Sequence, residues 1–390
     1  MTAPFITTSD PLAGSTLPRV LLIEPFPDRK WISINRYASN VEEMLGRAGL
    51  EVGRARSPWF NPPSLVKGLR LRYRTTSADL VAHARRPFDI VHLTDHALAH
   101  HCQRFGRASA TVVTCHDLMP LTMPRYYGNE LVRRVKEPLF LHSVRKMRGA
   151  SRIIAVSEAT KQQVSNLLDV DPSKIDVVPN SIRRGLGPCA NSEAELARLR
   201  IELPRRPIVL SIGHTGWYKN LDLLLRAMAH PDLRSAFLLR VGAPLTSSQR
   251  RLVGSLGISE RVRELGYVPA AALGPIYCAS TVLAQPSHFE GFGVTVIEAM
   301  ACGLPVVSSD GGALPEVVAD AGIVVPIGNS ASPSTVGAFA AALGSVIEDP
   351  ELGGRLRTAG QERSKAFTSE AVVPGLLRAY AAASIQAQTG

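Results

Sequence analysis

No stretch of the 390 residues is an apolar run approaching the ~20 residues of a membrane-spanning helix, which points to a soluble chain. Residues 1–18 lack the basic-then-apolar layout of a signal peptide and read as a disordered leader. Cysteine is scarce: the five (102, 115, 189, 278 and 302) are odd in number, scattered and free of any C-x-x-C pair. That argues against a disulfide frame or a zinc site and for a reducing cytoplasm. His96, His100 and His101 have no carboxylate at ligand spacing and read as surface residues, so no metal site is expected. Interleaved aromatics and any known nucleic-acid-reading motif are also missing, so nucleic acid is not the expected partner.

What is present is enough apolar sequence, 45%, for two domains with separate cores, and a lopsided charge. The net charge is +11; residues 1–190 hold 27 Lys and Arg against 16 Asp and Glu, whereas residues 191–390 hold 17 of each. A basic first half suits an anionic partner, or serves solubility alone. Within it, Leu65, Leu69 and Tyr73 form one helical stripe, with Lys67, Arg70 and Arg74 off it. Such a piece suits either an anionic membrane surface or the protein's own core.

Buried strands are expected at 19–24, 88–93, 110–117, 152–157 and 174–181, with helices at 35–50 and 129–148. A Gly- and Pro-rich linker follows at 183–194. A second alternating set has strands at 207–213, 236–241, 263–268, 281–285, 306–309 and 322–326, with helices at 221–229, 294–302, 333–348, 350–366 and 369–385. Strand–helix alternation repeated twice implies two doubly wound parallel sheets, an α/β protein. Domains are expected at 19–190 and 191–368. Ligands of such sheets gather at the carboxyl ends of the strands. His116 and Asp117, Ser157, and Asn180 stand at three such ends, although Ser157 also suits a helix N-cap.

The most informative stretch is Pro286-Ser-His-Phe-Glu-Gly-Phe-Gly-Val-Thr-Val-Ile-Glu298, followed by Ala-Met-Ala-Cys-Gly-Leu-Pro-Val-Val and a second glycine turn, Asp310-Gly-Gly. A strand, a glycine turn and a helix start bring the amides of Gly291, Phe292, Gly293, Val294 and Thr295 toward an anion, with the helix dipole behind them. Glu290 and Glu298 flank that nest. In the loop Gly213-His214-Thr-Gly-Trp-Tyr-Lys219-Asn220, Lys219 stands where a helix begins, a poor place for a cation unless an anion shares the site.

The run Glu290-Gly-Phe-Gly-x4-Glu298 resembles the E-x7-E signature of retaining GT-B glycosyltransferases, the glycosyl transferases group one of family four type. The likeness covers about 19–385. It implies a GT-B fold, two Rossmann-like domains facing a central cleft, with the last helix (369–386) completing the first domain. It further implies a retaining, metal-independent transfer of a sugar of mannose or glucose type, without cofactor, from a UDP- or GDP-sugar. The acceptor would be a glycan, a glycolipid or a polyprenyl-linked molecule in polysaccharide biosynthesis. The enzyme would be cytoplasmic, with peripheral contact to the inner membrane face. In residues, the resemblance implies catalytic roles for Glu290, His116 and Lys219. Donor binding falls to Gly213, His214, Lys219, Asn220, Gly291 to Thr295 and Glu298, with Asp117, Ser157 and Asn180 along the cleft. The chain departs from the family twice: His214 stands where an arginine is usual, and Ser33-Ile-Asn-Arg-Tyr37 carries no glycine pair. These departures suit an alternative, a catalytically weak nucleotide-sugar-binding subunit, against which the intact Glu290 and Glu298 speak; a second alternative is a transferase acting on a small soluble metabolite.

Overall fold

The computed structural model describes residues 17–25, 32–56, 88–105, 109–328 and 332–389. The basic stripe at 65–74, the leader up to residue 16 and the connection 26–31 lie outside them. The chain divides into two compact units, Met1–Ser181 with Ser369–Gly390, and Ile182–Thr368. Residues 182–190 cluster with the second unit, where the Ile182 amide donates to the Phe367 carbonyl at 2.8 Å.

The first unit holds β1 (Val20–Glu24), β2 (Val52–Arg56), β3 (Ile90–Leu93), β4 (Ala110–Cys115), β5 (Arg152–Ala155) and β6 (Ile175–Val177). All pair in parallel, in the order β2-β1-β3-β4-β5-β6. Both faces are covered, which is why β1, β3 and β4 are buried along their whole length. On one face the helix Ile32–Arg47 and the helix Ser369–Thr389 pack Tyr37, Val41, Leu45, Val373, Leu377 and Tyr380 against the sheet. On the other, Leu98, Cys102, Val144, Met147 and Val164 fill the core.

The edge strand β2 departs from the expectations above. Its sequence, Val-Gly-Arg-Ala-Arg, is no apolar run. Besides its backbone ladder with β1 and the buried Ala55, it is tied by charge: Arg54 and Arg56 each reach the buried carboxylate of Glu24 at 2.6 Å. The helix expected from 35 begins at Ile32, and a short helix, Ser192–Arg198 capped by Asn191, occupies part of the expected linker.

The second unit holds β7 (Ile208–Gly213), β8 (Phe237–Gly242), β9 (Val262–Gly266), β10 (Val282–Gln285), β11 (Val306–Ser309) and β12 (Ile323–Val325). Their order is β12-β11-β10-β7-β8-β9, again all parallel. The connections reverse direction between β7 and β10. In a doubly wound sheet that switch point opens a crevice at the carboxyl ends of the two strands. Among the described residues, no helix is long and apolar enough to cross a membrane. None of their His, Cys, Asp or Glu side chains form a group of three able to hold a metal ion.

Candidate functional site

The loops after β7 and β10 meet at this switch point. Gly213 closes β7 with a φ of 128°, and a single 3-10 turn, Trp217–Lys219, follows. Asn220, left-handed and buried, then starts the helix Leu221–Met228. The two loops are tied by the His288 amide, which donates to the Tyr218 carbonyl at 2.7 Å. Lys219 thereby reaches Glu290: Nζ lies 2.6 Å from Oε1, both side chains mostly buried.

Three donors converge on that one carboxylate oxygen. Besides Lys219, Gln285 Nε2 stands at 2.5 Å and Ser287 Oγ at 2.7 Å. Gln285 is fixed in turn by Thr295 Oγ1, which donates to its Oε1 at 3.3 Å. Among the described residues no donor is bonded to Glu290 Oε2, so one face of the carboxylate is available to a hydroxyl. The backbone of Glu290 is held from beneath by the second glycine turn. The Ala313 amide donates to the Glu290 carbonyl at 2.9 Å, and a Cβ on Gly312 would collide with that carbonyl. Here glycine is required by close approach as well as by its φ of 65°.

The helix Val294–Ala301 starts from Gly293, whose φ of 105° turns the chain into it. Val294 and Thr295 are half-buried and open the first turn, where backbone amides lack partners within the helix. Gly291 lies in the turn just before. The Phe292 side chain is buried and packs edge-on against Phe367 at 5.6 Å, so only its backbone is available to a ligand. Glu298 is 2% exposed. Its Oε2 accepts from Tyr277 at 3.0 Å, and Arg183 Nε lies 3.5 Å from its Oε1. The carboxylate expected to face a ribose is therefore already oriented by two protein groups.

Sequence reasoning missed Tyr277, Arg183, Gln285 and Ser287, and also Arg240. This arginine, in the apolar strand β8, is 2% exposed and lies under the Gly213 loop. It donates to the carbonyls of Ser211 and Val241 at 3.1 Å and to that of Gly213. Burial lowers its pKa to about 10. The visible signal was a lone arginine within Phe237-Leu-Leu-Arg-Val-Gly. Burial, Lys219 and Arg240 together push the His214 imidazole below its ordinary pKa, so it is neutral at pH 7.

In the first unit, His116 follows β4 and its Nε2 lies 2.9 Å from the Thr94 carbonyl, so that nitrogen carries the proton. The Tyr37 ring meets the imidazole edge-on at 4.8 Å. Behind it runs a buried chain: Tyr37 Oη to Thr114 Oγ1 at 2.9 Å, Thr114 to His92 Nε2 at 2.8 Å, and His92 Nδ1 to Tyr380 Oη at 2.8 Å. Burial lowers the His116 pKa, partly opposed by Asp95. Asp117 accepts from the Met119 amide at 3.0 Å, and Ser157 caps the helix Glu158–Leu168 through the Thr160 amide at 3.0 Å. Asn180 is half-buried, three residues beyond β6.

Two of the scattered cysteines are bonded, against the expectation of no disulfide. Cys189 and Cys278, 89 residues apart, form a disulfide with a Cα–Cα distance of 6.0 Å. The fold lays the segment after Ile182 along the helix Ala270–Ala279, a juxtaposition no local spacing reveals. Cys102, Cys115 and Cys302 are free and buried.

Comparison with known proteins agrees with this architecture. The family model Glycosyltransferase Family 4 matches residues 37–184, and Glycosyl transferases group 1 matches residues 197–363. A D-inositol 3-phosphate glycosyltransferase of Segniliparus rotundus is 33% identical over 246 residues, 60% of this chain and 53% of that protein. The O-antigen chain mannosyltransferase B of Escherichia coli is 28% identical over 283 residues, covering 70% of this chain and 71% of that one. The matched stretch thus spans about half the length of the inositol-phosphate enzyme. Sucrose-phosphate synthase of Thermosynechococcus elongatus superposes with a TM-score of 0.73 at 23% identity, over 91% of this chain and 96% of that one. Anabaena HepE, solved with UDP and glucose, gives 0.67 at 18% identity, over 93% and 98%. At these identities the structural likeness shows the shared GT-B fold.

Proposed function

Since the chain belongs to the glycosyl transferases group 1, with a first half of Glycosyltransferase Family 4, we propose that it transfers a hexosyl group from a UDP- or GDP-sugar with retention of configuration. The observation that carries the reading is the convergence of Lys219 and Glu290 at the switch point between β7 and β10, beside the glycine-led helix start. Breaking the anomeric C–O bond leaves negative charge on the diphosphate and positive charge on the sugar. Lys219 and the first-turn amides of Val294 and Thr295 stabilise the first, being fixed before the reaction begins. Glu290 stabilises the second, or binds the sugar hydroxyls, through Oε2. Glu298 accepts from the ribose hydroxyls.

The acceptor hydroxyl attacks from the face the nucleotide leaves, and its proton passes to the departing phosphate. Neutral His116, with its Nε2 proton committed to Thr94, offers Nδ1 as an acceptor for a sugar hydroxyl. In this scheme the diphosphate charge is met by Lys219 and amides, so no metal is assigned. Arg240 holds the loop that carries His214 and supplies positive charge behind it.

The acceptor is anionic and presented at a lipid surface. On the helix Glu130–Val144, Leu131 and Val135 are 76% and 55% exposed, one turn apart; the same helix carries Lys136 with Arg133 and Arg134, the two arginines ion-paired with Glu130. An exposed apolar pair among cations suits an anionic membrane face.

The test is isothermal titration with UDP, GDP and ADP, followed by hydrolysis assays with the sugar derivative of the nucleotide that binds. One nucleoside diphosphate should bind in the micromolar to millimolar range, and its sugar derivative should be cleaved slowly without acceptor. Binding without cleavage under any acceptor condition would favour a nucleotide-sugar-binding subunit.

A further inference from the structure

We propose that Arg183 and Tyr277 are positioning residues for the Glu298 carboxylate, and that the Cys189–Cys278 bond joining their two segments sets how firmly that carboxylate is held for a nucleoside diphosphate. The proposal rests on the assignment of Glu298 to the donor ribose.

The two residues reach Glu298 from different elements. Tyr277 comes from the helix Ala270–Ala279 and is wholly buried, its hydroxyl 3.0 Å from Oε2. Arg183 comes from the irregular segment after Ser181, its Nε 3.5 Å from Oε1. Arg183 Nε and Nη2 are buried and have no hydrogen-bond partner among the described residues, so the ion pair with Glu298 is what holds this guanidinium. Buried donors left in that state cost stability unless something organises them.

The segment bearing Arg183 is fastened at both ends. At one, the Ile182 amide donates to the Phe367 carbonyl. At the other, the Cys189 sulfur is bonded to that of Cys278, the residue directly after Tyr277. Between them Leu186 lies against Gly274, where an added Cβ would touch its Cδ2 at 3.5 Å. One covalent bond therefore fixes the distance between the chain segments that supply the two partners of Glu298.

Cys189 and Cys278 are both half-buried residues. An external dithiol gives two electrons and two protons to the bond. Cys189 and Cys278 become thiols, and the reductant closes its own disulfide. Nearby Cys302, whose carbonyl oxygen is 3.8 Å from Cys278 Sγ, is buried and has its thiol raised to about 12. It stays protonated and does not take over the bond. Opening the bond returns conformational freedom to residues 183–189, and that freedom must be lost again for Arg183 to orient Glu298.

The experiment uses the full chain, oxidised or treated with dithiothreitol, with thiols counted by mass after alkylation. UDP, GDP and ADP are titrated, then the 2′,3′-dideoxy form of the one that binds. In the oxidised protein the ribose form should bind about tenfold more tightly than the dideoxy form, the worth of a hydrogen bond to a charged group. Reduction should expose two thiols and raise the Kd of the ribose form by about three- to tenfold, with the dideoxy form unchanged. Tyr277→Phe and Arg183→Met should lose the same discrimination while oxidised, Arg183→Lys should recover part of it, and Cys189→Ser should ignore the reductant. A general loosening would instead weaken both nucleotides alike. Equal Kd values in oxidised and reduced protein whose thiol counts differ by two would overturn the coupling and leave the ribose assignment standing. A protein that binds the ribose and dideoxy forms equally in both states would overturn the ribose assignment, and the proposal with it.

Discussion

The ammonium of Lys219 and the carboxylate of Glu290 touch at 2.6 Å across 71 positions of sequence, and the contact falls on the Glu290 oxygen that Gln285 and Ser287 also occupy. The pair joins the cation expected at a diphosphate to the carboxylate expected at a sugar. Glu290→Gln keeps the shape and removes the charge. Turnover of the donor should fall about 10²-fold or more, while nucleotide Kd moves less than about threefold. Glu298→Ala should do the opposite, raising nucleotide Kd by about tenfold or more. Donor hydrolysis and calorimetry on the two variants decide it, and the reverse pattern would exchange the two roles.

Burial, with the positive charges of Lys219 and Arg240, holds the His214 imidazole neutral, partly opposed by Glu290. His214→Arg places a permanent cation in that company. The empty protein should lose about 1 kcal/mol of stability, and the thermal shift on adding a nucleoside diphosphate should exceed that of the unaltered protein. Donor KM should fall, since the fork of an arginine grips a diphosphate in two places. A rise in KM would mean that the imidazole makes a contact of its own.

His92 is wholly buried between hydroxyls, and burial followed by the nearby His116 lowers its pKa to about 3. Between about pH 3 and 6.5 the unfolded chain binds a proton here that the folded chain refuses. Stability therefore rises with pH across this window and levels off above about 6.5. The slope from this group is at most about 1.4 kcal/mol per pH unit. Melting temperature should fall between pH 6.5 and 4, and His92→Gln should flatten that fall even if it lowers the plateau. A slope unchanged by the substitution would place the acid sensitivity elsewhere.

Exposed Leu131 and Val135 give the acceptor reading a direct test. The protein should pellet with vesicles containing anionic lipid and not with neutral ones, and the effect should fade as salt rises. Leu131→Glu with Val135→Glu should abolish pelleting while nucleotide binding is unchanged. Equal and negligible pelleting with both vesicle types would remove the membrane from the account and leave a small soluble acceptor.

Apolar runs mark the inner strands of both sheets, whereas the edge strand β2 carries Arg54 and Arg56, which meet Glu24, and the edge strand β9 reads Val-Arg-Glu-Leu-Gly. Salt links between distant segments leave no periodic trace, whereas burial of a parallel strand on both faces leaves an apolar run. The same division holds at the site. Glu290, Lys219 and the glycine turns are legible because each is a local motif with a backbone reason. Gln285, Ser287, Tyr277 and Arg183 are not, because each acts by where the fold brings it. Tyr277 reads as one more aromatic in an apolar helix, and Cys189 gives no hint of Cys278 until β10 and its preceding helix are in place.

Tyr380 completes a core whose members outside its own helix precede it by some two hundred residues or more, and it bonds to one of that unit's buried residues, His92. During synthesis the second unit, one unbroken segment, can close its core as soon as residue 368 is available. The first unit must meanwhile leave the sheet face formed by Ile90, Val112 and Ile154 without the cover of the helix Ser369–Thr389. The part of the chain made first is thus finished last. While the ribosome makes the intervening segment, the vulnerable species is a half-clad N-terminal sheet, the kind of intermediate that chaperones exist to shield.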